Sequence, residues 1–249
     1  MRKKTNLWIT VPLCVLSIIL FPALAKADFL IKSVRNTEEV TFMGMTQPAK
    51  TEMGQTWIAK NKFRINMGEH SKIIRPDLKK IYIIDHSQNT YSEIDLPVDL
   101  EKLLPPEAQQ ILQMTQVTAN VTDSSEVQKI KTWNCKKFMV EVIISVMGMN
   151  GALNIEMWTS KDLRMNLDVY SRFYMDTLLL NPLFKGVSEE FQKLEGYPVL
   201  TRFSMTMMGG EIQYLEEVTS VEKKSAPAGT YDLPQGYVKT TYNPLPWLK

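Results

Sequence analysis

The stretch KKIYIIDHSQNTYSEI, from Lys79 to Ile94, decides the fold class of this chain. Two runs rich in β-branched and aromatic residues flank the polar segment Asp85–Asn89, which is the pattern of a β-hairpin. Successive side chains of a strand point to opposite faces, so the run Ile81–Ile84 places apolar groups on both of them. A strand of this kind is covered by other parts of the protein on each side.

Alternation of apolar and polar residues continues through most of the chain. Phe63, Ile65 and Met67, for example, share one face of a strand whose other face is polar. This alternation predicts half-buried antiparallel strands separated by short polar or glycine-containing turns. The predicted strands outside the opening hairpin span residues 39–46, 52–59, 62–67, 126–135, 138–147, 152–160, 197–208 and 211–223.

Two segments show helical spacing instead. Residues 100–116 contain Pro105-Pro106, a kink or the true helix start, and residues 167–194 are divided by Asn181-Pro182. The proline-rich tail from Ala226 includes a short predicted strand near residues 237–240. Because a single antiparallel sheet of this size tends to curl, we predict an α+β fold. Its sheet would be strongly curved, an incomplete β-barrel, and covered on its concave side by the two helical regions.

The N-terminus has the pattern of a cleaved signal peptide. Arg2-Lys3-Lys4 precedes an apolar run, and Ala25-Lys26-Ala27 supplies the small residues that a signal peptidase recognises. We therefore expect a signal peptide over residues 1–27 and a periplasmic protein over residues 28–249. The latter would form a single half-barrel domain with a proline-rich C-terminal tail.

The charge balance and hydropathy limit the partners. Four of the 29 basic residues precede Asp28, whereas all 27 acidic residues follow Ala27, so residues 28–249 have a formal charge of −2. No basic patch predicts nucleic-acid binding, and no second long apolar run predicts a membrane span after signal cleavage.

Groups that carry enzymatic chemistry are scarce. After residue 27 the chain has one cysteine, Cys135, and two histidines, His70 and His86. A cysteine nucleophile and a serine triad each need a histidine base, and a zinc site needs several histidine or cysteine ligands. We therefore expect no enzymatic activity and no cofactor. Cys135 is predicted to be a small apolar residue of a strand. The segment that contains His86 is predicted to be an ordinary turn.

The apolar strands leave two interpretations of the interior open. Either central strands are covered on both sides by a filled core, or their inner face lines an apolar cavity. The 15 methionines of the chain suit surfaces that repack around apolar ligands, although they also fill ordinary cores. A third and weaker alternative is Cu(I) binding by three same-face pairs, because thioethers are soft ligands. The pairs are Met43/Met45, Met147/Met149 and Met205/Met207.

Short motifs resemble those of the exported outer-membrane lipoprotein-carrier-like proteins, the LolA/LolB-like superfamily. They are Trp57-Ile58-Ala59-Lys60, Lys62-Phe63-Arg64-Ile65, Ile73-Ile74-Arg75-Pro76-Asp77, Lys80-Ile81-Tyr82-Ile83-Ile84-Asp85 and Asn89-Thr90-Tyr91. Residues 127–138, Ile155–Ser160 and Tyr231–Tyr237 look like a DUF4412-like subgroup of exported proteins. The lipoprotein carriers have a "W-V-K-R-P" run on the corresponding strand. This chain has Trp57-Ile58-Ala59-Lys60-Asn61 there, which lacks both the arginine and the proline. Only the architecture and a generic role in apolar-ligand binding are therefore carried over.

The resemblance implies a half-barrel around an apolar cavity. We therefore expect a non-enzymatic binding protein for lipid acyl chains, with a role in lipid or lipoprotein trafficking and a lipoprotein or envelope protein as a further partner. The alternative is a structural or protein-interaction module of the envelope with a filled core. The candidate lining residues are Trp57, Tyr82, Ile84, Tyr91 and Trp158, with Arg64 and Arg75 as candidates for a head group at the rim.

Overall fold

The computed structural model describes residues 28–42, 45–99, 103–104, 106–146, 148–163, 165–207 and 210–242. The predicted signal peptide, residues 1–27, lies outside the described residues. In the part of the chain that is described, no helix is long and apolar enough to cross a membrane.

Twelve strands of the described chain form one sheet, and two more form a separate hairpin. The strands of the sheet are β1 Asp28–Thr37, β4 Lys50–Ile58, β5 Phe63–Met67, β6 His70–Arg75, β7 Lys80–Asp85, β8 Thr90–Asp95, β9 Thr115–Ile130, β10 Trp133–Val146, β11 Met149–Ser160, β12 Tyr197–Met207, β13 Gly210–Lys224 and β14 Val238–Thr240. The hairpin consists of β2 Val40–Phe42 and β3 Met45–Gln47.

The large sheet is curved and open, as predicted, and it does not close into a barrel. Its strand order is β14-β8-β7-β6-β5-β4-β1-β13-β12-β11-β10-β9. Strand β1 therefore lies inside the sheet, where it joins the meander β4–β8 to the meander β9–β13. All neighbours in the sheet are antiparallel except β14, which pairs with β8 in parallel.

The helical segments are few and short. They are α1 Pro106–Gln113, α2 Leu167–Leu178, a 3₁₀ helix Pro182–Val187 and α3 Ser188–Phe191. The predicted division at Asn181-Pro182 is confirmed, because the Asn181 side chain accepts a hydrogen bond from the Leu183 amide at 3.1 Å and starts a new helix. The helix predicted up to residue 116 ends earlier, because the chain enters β9 at Thr115.

Two strand predictions need correction, and one strand was missed. The strand expected over residues 126–135 is the end of β9, a tight turn with Lys131 at φ 52°, and the start of β10. The strand expected over residues 39–46 is the hairpin of β2 and β3. Strand β1 was not predicted separately, although it occupies the interior of the sheet.

Two apolar clusters fill the space between one face of the sheet, here called the inner face, and the helical segments. The first joins this face to Leu163, Val169, Phe173 and Leu180 in and around α2, and its inner-face members include Ile31, Ile58, Phe63, Ile74, Ile81 and Ile94. The second joins Phe191 of α3 to inner-face residues of β10 and β11, among them Phe138, Val140, Leu153 and Met157. Helix α1 contacts β9.

Gly54 leaves room for side chains from two neighbouring strands. It lies opposite Ser33 on β1 and Met67 on β5. A Cβ atom at Gly54 would lie 2.7 Å from Met67 Cε and closer still to Ser33 Oγ. A larger residue would therefore force Met67 Cε and Ser33 Oγ to move, and Ser33 Oγ is held by its hydrogen bond to Glu216.

We expect Gly54→Ala to lower the free energy of unfolding by about 1–3 kcal/mol, because the added methyl group overpacks this contact. Denaturant unfolding measures the change. Gly186→Ala is the matched control: a Cβ there meets no heavy atom within 4 Å, so its effect should stay within about 0.5 kcal/mol. Equal effects of the two substitutions would contradict the role given to Gly54.

Candidate functional site

Helix α2 presents an aromatic surface to the inner face. Asn166 caps the helix, since its side chain accepts a hydrogen bond from the Val169 amide at 3.1 Å. Phe173 is fully buried and stacks on Phe63 of β5 with ring centroids 4.9 Å apart. One turn earlier, the ring of Tyr170 lies 4.6 Å from that of Tyr197 on β12. These contacts hold the helix against the middle of the sheet.

Two adjoining spaces remain between α2 and the sheet. An open cleft of about 360 Å³ is lined by apolar side chains that include Met157, Leu167, Phe191 and Leu194. A more enclosed cavity of about 170 Å³ lies deeper, beside Phe63, Ile65, Met67 and Val199. Tyr170, Tyr174 and Pro198 line both spaces. We define these two spaces as the candidate site.

An ion pair lies in the wall of the deeper cavity. Arg35 of β1 donates two hydrogen bonds to Glu216 Oε2 of β13, from Nε at 3.1 Å and Nη2 at 2.7 Å. Ser33 Oγ donates to Glu216 Oε1 at 3.0 Å. Burial alone would lower the pKa of the Arg35 guanidinium, but the Glu216 carboxylate reverses this effect and the pKa is raised. Arg35 therefore stays charged inside a mostly apolar site.

Four tyrosines surround this ion pair. The rings of Tyr214 and Phe203 stack 4.5 Å apart, and the Arg35 guanidinium lies 4.6 Å from the Tyr214 ring centroid. Desolvation raises the pKa of Tyr174 to about 12 and also raises the pKa of Tyr170 and Tyr197. These phenols therefore remain protonated and able to donate hydrogen bonds.

The polar residues of the site were missed by sequence analysis. Arg35 and Glu216 look like ordinary charged strand residues until β1 is seen to pair with β13. Tyr170 and Tyr174 were visible as one stripe of the predicted helix, but their spacing is equally typical of a core. One sequence feature could have indicated the position of Arg35. Residues 31, 33 and 35 of a strand share one face, so Arg35 lies on the same face as the apolar Ile31.

Six of the seven sequence-predicted site residues meet on the outer face of the sheet, opposite α2. Trp57 pairs with Arg64, Ile73 pairs with both Arg64 and Tyr82, and Ile84 pairs with Tyr91. Alternation along β6 and β7 places Arg75 and Tyr82 on this same face. These residues therefore do not lie beside the space under α2. A role for them in ligand binding stays a prediction.

The C-terminal segment, residues 225–242, covers this outer face. Arg64 Nη1 donates to the Thr230 carbonyl and Arg75 Nη1 to the Tyr231 carbonyl, each at 3.0 Å. The Tyr231 hydroxyl donates to Asp28 Oδ2 at 3.1 Å, and β14 pairs with β8. The strands β5–β8 are apolar on both faces because α2 covers one face and this segment covers the other.

The seventh predicted residue, Trp158, lies in the other half of the sheet. It is buried on β11 and donates from Nε1 to Glu156 Oε1 at 2.9 Å. Glu156 also forms ion pairs with Lys137 and Arg202. The structure therefore does not bring Trp158 together with the other six residues.

His86 has more partners than its predicted turn implied. The turn itself is confirmed, since Asp85 Oδ1 accepts hydrogen bonds from the Ser87 and Gln88 amides. His86 Nε2 lies 2.7 Å from Ser71 Oγ, and Nδ1 lies 2.8 Å from the Tyr237 hydroxyl. Ser71 donates its only proton to Asn66 Oδ1. Nε2 of His86 must therefore carry the proton, and Nδ1 accepts from Tyr237.

Metal-binding groups do not cluster in the described chain. No set of three or more His, Cys, Asp or Glu residues there is arranged to hold an ion. Met43 and Met147 lie outside the described residues, so the copper hypothesis stays a prediction. Cys135 is buried in β10, where desolvation raises the pKa of its thiol.

The chain is thus mostly β-sheet with few helices, built on one large, open, curved sheet, with a helix packed over a partly hollow inner face. Residues 38–237 match the family described as Domain of unknown function (DUF4412), and the chain belongs to that family. A comparison with curated proteins finds no match.

We expect the attachment of the C-terminal segment to weaken as the pH falls. Desolvation, and next the charge of Arg64, lower the pKa of His86 in the folded protein. The unfolded chain, with an ordinary pKa near 6.5, then binds the proton more readily. Stability conferred by neutral His86 is present above about pH 6.5 and is lost as the pH falls toward the lowered value.

Unfolding experiments at pH 7.5 and 5.5 test this expectation. His86→Gln should reduce the pH dependence of the unfolding free energy. His70→Gln, at the exposed start of β6, is the matched control. A pH dependence unchanged by His86→Gln would show that this network does not sense protons.

Proposed function

We propose that this chain is an exported, non-enzymatic binding protein that holds a lipid acyl chain or a similar apolar ligand between α2 and the inner face of its sheet. It would act in the periplasm, in lipid or lipoprotein trafficking, as a distant relative of the lipoprotein carriers of the LolA/LolB-like superfamily. The observation that carries the proposal is the pair of adjoining spaces beneath α2.

The dimensions and lining of these spaces support the proposal. Ligand sites typically measure about 300–1,000 Å³ and combine an apolar lining with a few polar groups. The cleft of about 360 Å³ lies within this range, and the cavity of about 170 Å³ extends it inward. Apolar side chains such as Leu167 and Phe191 line the cleft, whereas Lys161 and Glu195 form an ion pair among its lining residues.

The position of α2 also supports access to the interior. Its flanks are the described residues 161–163 and 165–166 on one side and the short 3₁₀ and α3 helices on the other, rather than strands of the sheet. Outward movement of the helix would enlarge the site without breaking any strand pairing. Hydrogen bonds within the large sheet can therefore stay intact while a ligand enters.

Ligand binding can be measured directly. The protein expressed from the full chain should retain lipid that native mass spectrometry and solvent extraction detect, and should bind a fluorescent fatty acid with about one site. Ser171 is an exposed lining residue of the cleft. Ser171→Trp should therefore weaken binding about tenfold or more by filling the cleft. Arg172→Trp, at the exposed next position of α2, should bind as the original does.

A ligand-free preparation that also fails to bind the fatty acid would contradict the proposal. It would favour the alternative function, a structural or protein-interaction module with a filled core. Equal binding by both tryptophan variants would contradict the assignment of the site to the cleft.

Export can be tested on the same material. If the signal peptide is removed as the sequence predicts, the intact mass of the exported protein should correspond to a chain that begins at Asp28. Retention of residues 1–27 would contradict both the cleavage and a freely diffusing carrier.

A further inference from the structure

Polar groups with unused hydrogen-bonding capacity converge on the candidate site. Arg35 donates from Nε and Nη2 to Glu216, and its Nη1 donates to no acceptor among the described residues. The hydroxyls of Tyr170 and Tyr174 make no hydrogen bond to another described residue, yet both side chains line the cleft and the cavity. A polar ligand atom at this position would thus find several free donors.

A second cation adds to the charge near Arg35. Lys72 lies on the inner face of β6, opposite Ile65 and Ile83. No described carboxylate oxygen lies within 4 Å of its amine. Burial lowers the pKa of Lys72, and the charge of Arg35 lowers it further. The two cations therefore influence each other across the inner face.

The charged residues around the deeper cavity carry a positive surplus, whereas Asp168 and Glu195 line the outer cleft, where Glu195 pairs with Lys161. Glu216 balances only one of the two cations, Arg35 and Lys72. Glu52, the nearby acidic residue, forms an ion pair with Lys50 at 2.7 Å. Because an uncompensated charge in a partly desolvated site is costly, an anion would be stabilised here.

We propose that the ligand is a single-chain amphiphile with an acidic head group, either a carboxylate or a phosphate. The head group would accept hydrogen bonds from Arg35 Nη1 and from the hydroxyls of Tyr170 and Tyr174, near the charge of Lys72. The chain would lie in the adjoining cleft, along Leu167, Phe191 and Leu194. This inference rests on the proposed function and adds the class of ligand.

Three ligands with the same chain length separate head-group recognition from apolar binding. Palmitate, hexadecyl phosphate and hexadecanol compete against a bound fluorescent fatty acid. At neutral pH we expect one or both acidic ligands to bind about tenfold more tightly than hexadecanol, because charge-assisted hydrogen bonds are the stronger ones. The comparison of palmitate with hexadecyl phosphate identifies the acidic group.

Two sets of variants locate the head group. Tyr170→Phe combined with Tyr174→Phe removes hydroxyls that no described residue uses, so the fold should be unaffected while affinity for the acidic ligand falls about tenfold. Lys72→Met should weaken the acidic ligand several-fold and leave hexadecanol unchanged. Lys129→Met, at an exposed position of β9, is the matched control for the lost charge. Thermal unfolding of each variant checks that the fold is intact.

The outcomes distinguish the two proposals. If hexadecanol binds as tightly as both acidic ligands, or if the tyrosine and lysine variants lose nothing, the acidic head group is wrong while the binding function stands. If the fluorescent fatty acid itself does not bind, the binding function fails, and the head-group assignment fails with it; if it binds and none of the three ligands displaces it, only the single-chain acidic ligand is wrong.

Discussion

The structure depends on one constraint: the strands β5–β8 are apolar on both faces and must be covered on both. Ile74 and Ile81 face α2, whereas Ile73 and Ile84 face the opposite side, and all four are fully buried. A sheet washed by water on one side would leave half of these side chains exposed. The chain meets this constraint with two separate pieces, the helix on the inner face and residues 225–242 on the outer face.

The two covers are held by different kinds of contact. This difference explains why unfilled space lies on the inner face. The outer cover is attached by polar contacts, in which Arg64 and Arg75 donate to backbone carbonyls and Tyr237 contacts His86. The inner cover is attached by aromatic contacts, in which Phe173 stacks on Phe63 and the tilted ring of Tyr170 packs against Tyr197. Aromatic packing is less directional than hydrogen bonding. A helix held in this way can leave unfilled space beside it, and the cavity lies there.

The sequence predicted most of the strands, the open sheet and the position of α2, because these follow from local periodicity, but it missed β1 and the turn between β9 and β10. It also predicted that Ile81–Ile84 would be covered on two sides. It could not show which cover lies on which face, because alternation distinguishes two faces without naming them. Trp57, Tyr82 and Tyr91 were expected to line an apolar cavity, whereas the structure places them on the face under the C-terminal segment. The pairing of Arg35 with Glu216 lies beyond any local pattern, since 181 positions separate the two residues.

The interior position of β1 has a consequence for the order in which the protein assembles. Lys32 of β1 bonds to Glu222 of β13 across 190 positions of the chain. Strand β1 can therefore pair with β13 only after nearly the whole polypeptide has been made. Closing so long a loop carries an entropic cost before any contact repays it, and topologies dominated by such distant pairings fold slowly. Until then β4–β8 and β9–β13 are two meanders without a common edge, and β1 is the strand that makes them one sheet.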